Sequence, residues 1–118
     1  MQDKLNAIIE KYCGTIKTSV RMIGRLLDEV AQGVPDPLAT IKEAEALAHQ
    51  LKGSSGTAGF NEISAAATAL DDQLKILCRS NAADGPLAID AASERFRSLE
   101  QLALAATPSS SSLYSGPS

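Results

Sequence analysis

Apolar residues recur at three- and four-residue steps near the start of the chain: Leu5, Ile8, Ile9, Tyr12, Ile16, Val20, Ile23, Leu26, Leu27 and Val30. That period lines them up along one stripe of a helix, and a helix with a single apolar stripe must bury it against neighbours. The run predicts one long helix, or two in tandem with Gly14 as the joint. Aromatic residues make up only 3% of the chain and Ala and Leu dominate it, which favours helices over a sheet built from β-branched and aromatic side chains. The expected class is all-α.

Gly33, Val34 and Pro35 stop the first run, and Asp36 before Pro37 reads as an N-cap with proline at the first helical position. The next helix is expected from Pro37 to about Thr57, with Leu38, Ile41, Ala44, Ala48, Leu51 and Ser55 on one side and Gly59 ending it. Asn61 can cap a third helix with the stripe Ile63, Ala66, Ala67, Leu70, Leu74 and Leu77, ending between Arg79 and Asn81. Asp84, Gly85 and Pro86 open a last helix with Leu87, Phe96, Leu99, Leu102 and Ala103 facing inward. Short connections place successive helices side by side and antiparallel. The expectation is an antiparallel up-down four-helix bundle over residues 1–106, with an N-terminal helical extension. From Thr107 the string TPSSSSLYSGPS has no periodicity and is rich in Ser, Pro and Gly, so residues 107–118 are expected to be a disordered tail.

Several function classes drop out on charge and hydropathy. The net charge is −3 and no block of Lys or Arg exists to follow a phosphate backbone, so nucleic acid is not an expected partner. No apolar run approaches the ~20 residues of a membrane span, and the start MQDKLNAIIEK carries charges where a signal peptide needs an apolar core. A soluble, cytoplasmic protein is expected, most simply a monomer. Cys13 and Cys78 stand far apart without a CxxC pair or neighbouring histidines, and read as small core residues.

The single histidine, His49, stands just before Lys52, Gly53 and Gly56. At about 100° per residue it falls roughly 120° from the centre of the apolar stripe of its helix, facing solvent or the core edge. Its neighbours on that face are Glu45, Ala46, Lys52 and Gly53, with Gly56 further along. Glycine weakens a helix interior by about 1 kcal/mol relative to alanine, so these glycines need a reason, and access to the imidazole supplies one. Lys52, one turn on, can reach a negative group attached to the ring. The pair suits a histidine that carries phosphate for a time. Glu45 could orient the ring, although a solvated helix-face charge is the simpler description. Ser54 and Ser55 read as close-packing residues, since no second base is present to activate them.

The string His49-Gln50-Leu51-Lys52-Gly53-Ser54-Ser55, followed by Gly59 and Phe60, closely resembles the signature of histidine-containing phosphotransfer (HPt) domains. Tyr12 in the first long helix, the spacing of Ala66, Ala69 and Leu70, and the final amphipathic helix look like the same family's bundle. The resemblance implies a phosphorelay intermediate: His49 takes a phosphoryl group from an aspartyl-phosphate on a receiver domain and passes it to an aspartate on another. It assigns Lys52 as electrostatic support and Gly53 as the gap that admits the partner; Gln50, at the variable position, can offer a hydrogen bond. Receiver domains of response regulators and hybrid sensor kinases are the implied partners. The family's kinase and ATP-binding segments are missing, which implies a carrier with no cofactor of its own and Mg²⁺ on the receiver. The alternative is a docking adaptor that keeps the bundle surface without the relay. A metal-binding bundle fits least, because Ala46 stands where an ExxH pair would need its acid and no second histidine exists.

Overall fold

The computed structural model describes residues 1–79 and 85–115, and side chains within that range except those of residues 85–88. Four helices follow one another in the described residues: α1 (Gln2–Gln32), α2 (Pro37–Thr57), α3 (Asn61–Arg79) and α4 (Gly85–Ala105), with a 3-10 turn at Pro108–Ser110. They pack as an all-α four-helix bundle elongated to 53 × 19 × 19 Å. Asp84 and the side chain of Leu87 lie outside the described residues.

α1 is a single helix of 31 residues, about 46 Å long, and Gly14 is not a joint. The buried stripe Ile9, Cys13, Ile16, Val20 and Ile23 runs unbroken past that glycine. Packing on both sides outweighs a propensity cost of about 1 kcal/mol at one exposed position. Gly33, at φ +96°, turns the chain out of the helix. Asp36 then accepts the backbone N–H of Ala39 at 3.1 Å, capping α2 ahead of Pro37.

α2 buries Ile41, Ala44, Ala48, Leu51 and Ser55, and α3 buries Ile63, Ala67, Leu70, Asp71, Leu74 and Leu77. This pair forms the most extensive helix contact in the bundle. In α4 the inward residues are Ala92, Leu99 and Ala103, with Phe96 and Leu102 half-buried. Cys13 is buried and Cys78 half-buried, both as free thiols.

The α2–α3 corner is a Schellman turn. Phe60 N–H donates to Ser55 O at 2.8 Å and Gly59 N–H to Gly56 O at 3.2 Å, with Gly59 in the left-handed region at φ +85°. Phe60 is 1% exposed and pins the corner to the core. Its carbonyl accepts Ser64 N–H at 2.9 Å, so Phe60 takes the cap position and Asn61 is the first helical residue instead of the cap.

Residues 107–115 overturn the expectation of a disordered tail for the part of it that is described. Ser111 is 4% exposed, its hydroxyl donates to Ala58 O at 2.6 Å, and Ser112 N–H donates to Gly59 O at 2.9 Å. Asn6 Nδ2 donates to Ser115 O at 2.8 Å and Gln2 Nε2 to Leu113 O at 3.3 Å. The segment is held by hydrogen bonds to the α2–α3 corner and to the first turns of α1, which project beyond the end of α2. Hydrophobic periodicity carries no record of such bonds.

A Cβ on Gly59 would stand 2.7 Å from Ser111 Oγ and 2.9 Å from Leu113 Cγ. Gly59→Ala is therefore expected to cost about 2 kcal/mol in urea unfolding, from left-handed backbone strain and collision with the tail. In a chain ending at Ala106 only the strain remains, and the cost should fall to about 1 kcal/mol. Equal costs in the two chains would show that the tail does not dock here.

Candidate functional site

The Ser64 hydroxyl of α3 donates to Lys52 O of α2 at 2.9 Å, a bond that requires the two helices to approach closely. A Cβ on Gly56 would come 3.2 Å from Ser64 Oγ, so Gly56 serves that close approach and not access to the ring. The proximity brings His49, on the outer edge of α2, within reach of α3. Its Nδ1 lies 3.1 Å from Asp71 Oδ2, with the imidazole side chain 61% exposed and the carboxylate fully buried.

Lys75, one turn beyond Asp71 on α3, places Nζ 3.2 Å from the same Oδ2. Burial pushes the Asp71 carboxyl up, but the hydrogen bonds from His49 and Lys75 and the charge of the Lys75 ammonium outweigh it and hold the group below its ordinary value. Asp71 is thus ionised at neutral pH and can only accept hydrogen bonds. The proton in this contact must sit on His49 Nδ1, a tautomer assigned by the network, and in the neutral ring this leaves the lone pair on Nε2. Asp71 Oδ1 is buried with no hydrogen-bond partner among the described residues, so the network is centred on a single oxygen.

The other expected site residues are arranged around the ring. Lys52 is half-buried one turn away, and its ammonium makes no ion pair among the described residues. Gln50 is exposed; its carbonyl accepts the Ser54 hydroxyl at 2.6 Å and its side chain makes no hydrogen bond among the described residues. Gly53 is exposed, and a Cβ there would meet nothing within 4 Å, an open step beside the imidazole. Ser55 is buried against Tyr12, whose hydroxyl lies 3.3 Å from its Oγ, as a packing residue should be. Glu45 does not hold the ring: it makes no hydrogen bond or ion pair among the described residues.

Asp71 is the site residue that the sequence reading missed. Its signal was an acid within the inward stripe, four residues after Ala67 and three before Leu74, whereas neighbouring Asp72 is exposed. A groove of about 530 Å³ between α1 and α4 is lined by residues that include Arg21, Arg25, Phe96 and Arg97 and by none of the site residues. Among the described residues no three of His, Cys, Asp and Glu gather as a metal site would require. No helix among the described residues is long and apolar enough to cross a membrane.

The site therefore presents one exposed nucleophilic nitrogen, oriented from behind by a buried anion and flanked by a lysine and an open glycine. Neither a curated protein nor a solved structure matches the chain. The family model of the Hpt domain matches residues 7–107, which takes in α2, α3, α4, all but the first five residues of α1, and every residue of this site. The chain belongs to the Hpt domain family, the phosphotransfer proteins of two-component phosphorelays.

Proposed function

We propose that His49 Nε2 accepts a phosphoryl group from an aspartyl-phosphate on one receiver domain and hands it to an aspartate on another. The observation that carries this reading is the hydrogen bond from Nδ1 to buried Asp71, which leaves Nε2 facing solvent. In the forward step the Nε2 lone pair bonds to phosphorus while the bond from phosphorus to the aspartyl oxygen breaks. The aspartate departs with that electron pair. The positive charge that develops on the ring is shared through Nδ1–H with the Asp71 carboxylate, and the return step reverses each change.

Lys52 is within reach of the phosphoryl oxygens, where a partly screened ammonium gives modest support, and Gln50 can donate a hydrogen bond to them. Gly53 leaves the approach open. Phosphoryl transfer depends on positioning and charge neutralisation, and the Mg²⁺ that clamps the transferring oxygens is assigned to the receiver. The protein is thereby a carrier, with the chemistry of activation supplied by its partners.

Incubation with a panel of phosphorylated receiver domains should label the wild-type chain with acid-labile, base-stable phosphate. His49→Gln should lose that label entirely with unchanged helix content by circular dichroism. Label of this kind on the Gln variant would refute the assignment.

Gly53→Leu should separate function from folding. With no atom in the way of a Cβ, replacing glycine in a helix interior should raise stability by about 1 kcal/mol. Transfer should nevertheless fall by at least about tenfold, as the side chain obstructs the receiver. Thermal unfolding and a transfer time course on the same variant give the two readings.

Asp71→Asn keeps the side chain's shape but removes the charge that orients and stabilises the ring. Transfer at saturating receiver is expected to slow about tenfold or more, the kinetic equivalent of one charge-assisted hydrogen bond. Because the folded carboxyl titrates below its unfolded value, its stabilisation is complete above the unfolded value near ~4 and disappears as pH falls through the folded one. The stability gap between wild type and Asp71→Asn, about 1–2 kcal/mol at pH 7, should therefore close in acid. Urea unfolding across pH would show it.

A further inference from the structure

Beside Gly53 lies a groove of about 440 Å³ with no charged residue in its lining. Ile8 and Tyr12 of α1 form one wall, Gly53 and Thr57 of α2 the floor, and Leu113 of the C-terminal segment the other wall. Ile8 is 62% exposed and Leu113 44% exposed, so two large apolar side chains face water here.

We propose that the C-terminal strap, through Leu113, forms part of the surface on which the receiver domain docks, and that it helps to set which receiver fits. This rests on the phosphoryl-carrier reading. Any protein that brings an aspartate to His49 must cover the surface around it, and a specific interface covers about 800 Å² per partner, a disc of roughly 16 Å radius. Gly53 is one helical turn from His49, about 6 Å along α2, and Leu113 lines the same groove as Gly53. Leu113 Cγ sits over Gly59, ten residues or about 15 Å along α2 from His49, so the strap meets the rim of that footprint. The lining calls for a partner that inserts an apolar, uncharged side chain, such as the exposed apolar end of a receiver helix.

The strap is a fixed wall. Ser111 Oγ donates to Ala58 O and accepts Leu113 N–H at 3.1 Å, and the Leu113 carbonyl is held by Gln2. Ser112 bonds to Gly59 O, and the missing Cβ of Gly59 leaves the space that Ser111 and Leu113 occupy. Side chains presented from a pre-ordered backbone bind with less ordering cost than those on a loose tail. The Hpt match ends at residue 107, before the strap begins its contacts with the corner.

The test compares wild type, Leu113→Asp and Leu113→Met in the full chain, with one receiver that exchanges phosphate with the wild type. The Asp variant should raise the receiver concentration for half-maximal transfer about tenfold, while the saturating rate stays within about twofold and the Met variant behaves as wild type. Labelling of His49 by phosphoramidate, which needs no docking, should be the same in all three. Unchanged half-saturation in Leu113→Asp would overturn the proposal, and so would tighter binding, since the strap would then obstruct the surface. A lower unfolding midpoint with no change in half-saturation would make the strap a staple only. If wild type takes phosphate from phosphoramidate but from no receiver, the carrier reading itself fails, and the strap proposal falls with it.

Discussion

The contact between an exposed imidazole and a fully buried carboxylate organises this molecule. An ionised carboxylate without water is costly unless cations and donors surround it, and here His49 and Lys75 converge on one oxygen of Asp71. The arrangement constrains both helices. α2 and α3 must lie close enough for a ring on one to reach an acid on the other, a closeness that the bond from the Ser64 hydroxyl to Lys52 O also requires. The same bond fixes the tautomer of His49, so the packing of the core selects the nitrogen that keeps the lone pair.

The glycines near the histidine answer to different demands. Gly53 keeps a surface clear, Gly56 lets Ser64 approach, and Gly59 turns the chain with a left-handed backbone while making space for the C-terminal strap. Only the last is required by backbone geometry. An alanine at Gly53 would meet no atom, so glycine there costs helix stability with no packing demand to offset it.

The strap and the projecting first turns of α1 extend the bundle on the side of the α2–α3 corner. Asn6 both donates to Ser115 O and accepts Ser115 N–H, so each segment supplies the polar partners of the other. The apolar groove between them is a product of that mutual ordering, and Gly53, one turn from His49, lies in its lining.

Periodicity and punctuation along the chain were enough to determine the four helices, their approximate ends, their antiparallel order and the exposed position of His49. Each of these follows from local rules: a stripe every three or four residues, a capping aspartate before proline, a glycine after the last turn. The string from His49 to Ser55 was enough to place the chain in its family. Tertiary structure alone decided what lies behind the imidazole, because the partner is 22 residues away and hydrogen-bonds across two helices. Asp71 could be noticed as an acid on an inward stripe, but which basic groups would meet it depended on the rotation and spacing of α2 against α3. The strap was invisible for a related reason. Its serines and Leu113 bind through backbone groups and one-off contacts, which have no period, so only the folded corner of α2 and α3 could reveal where they belong.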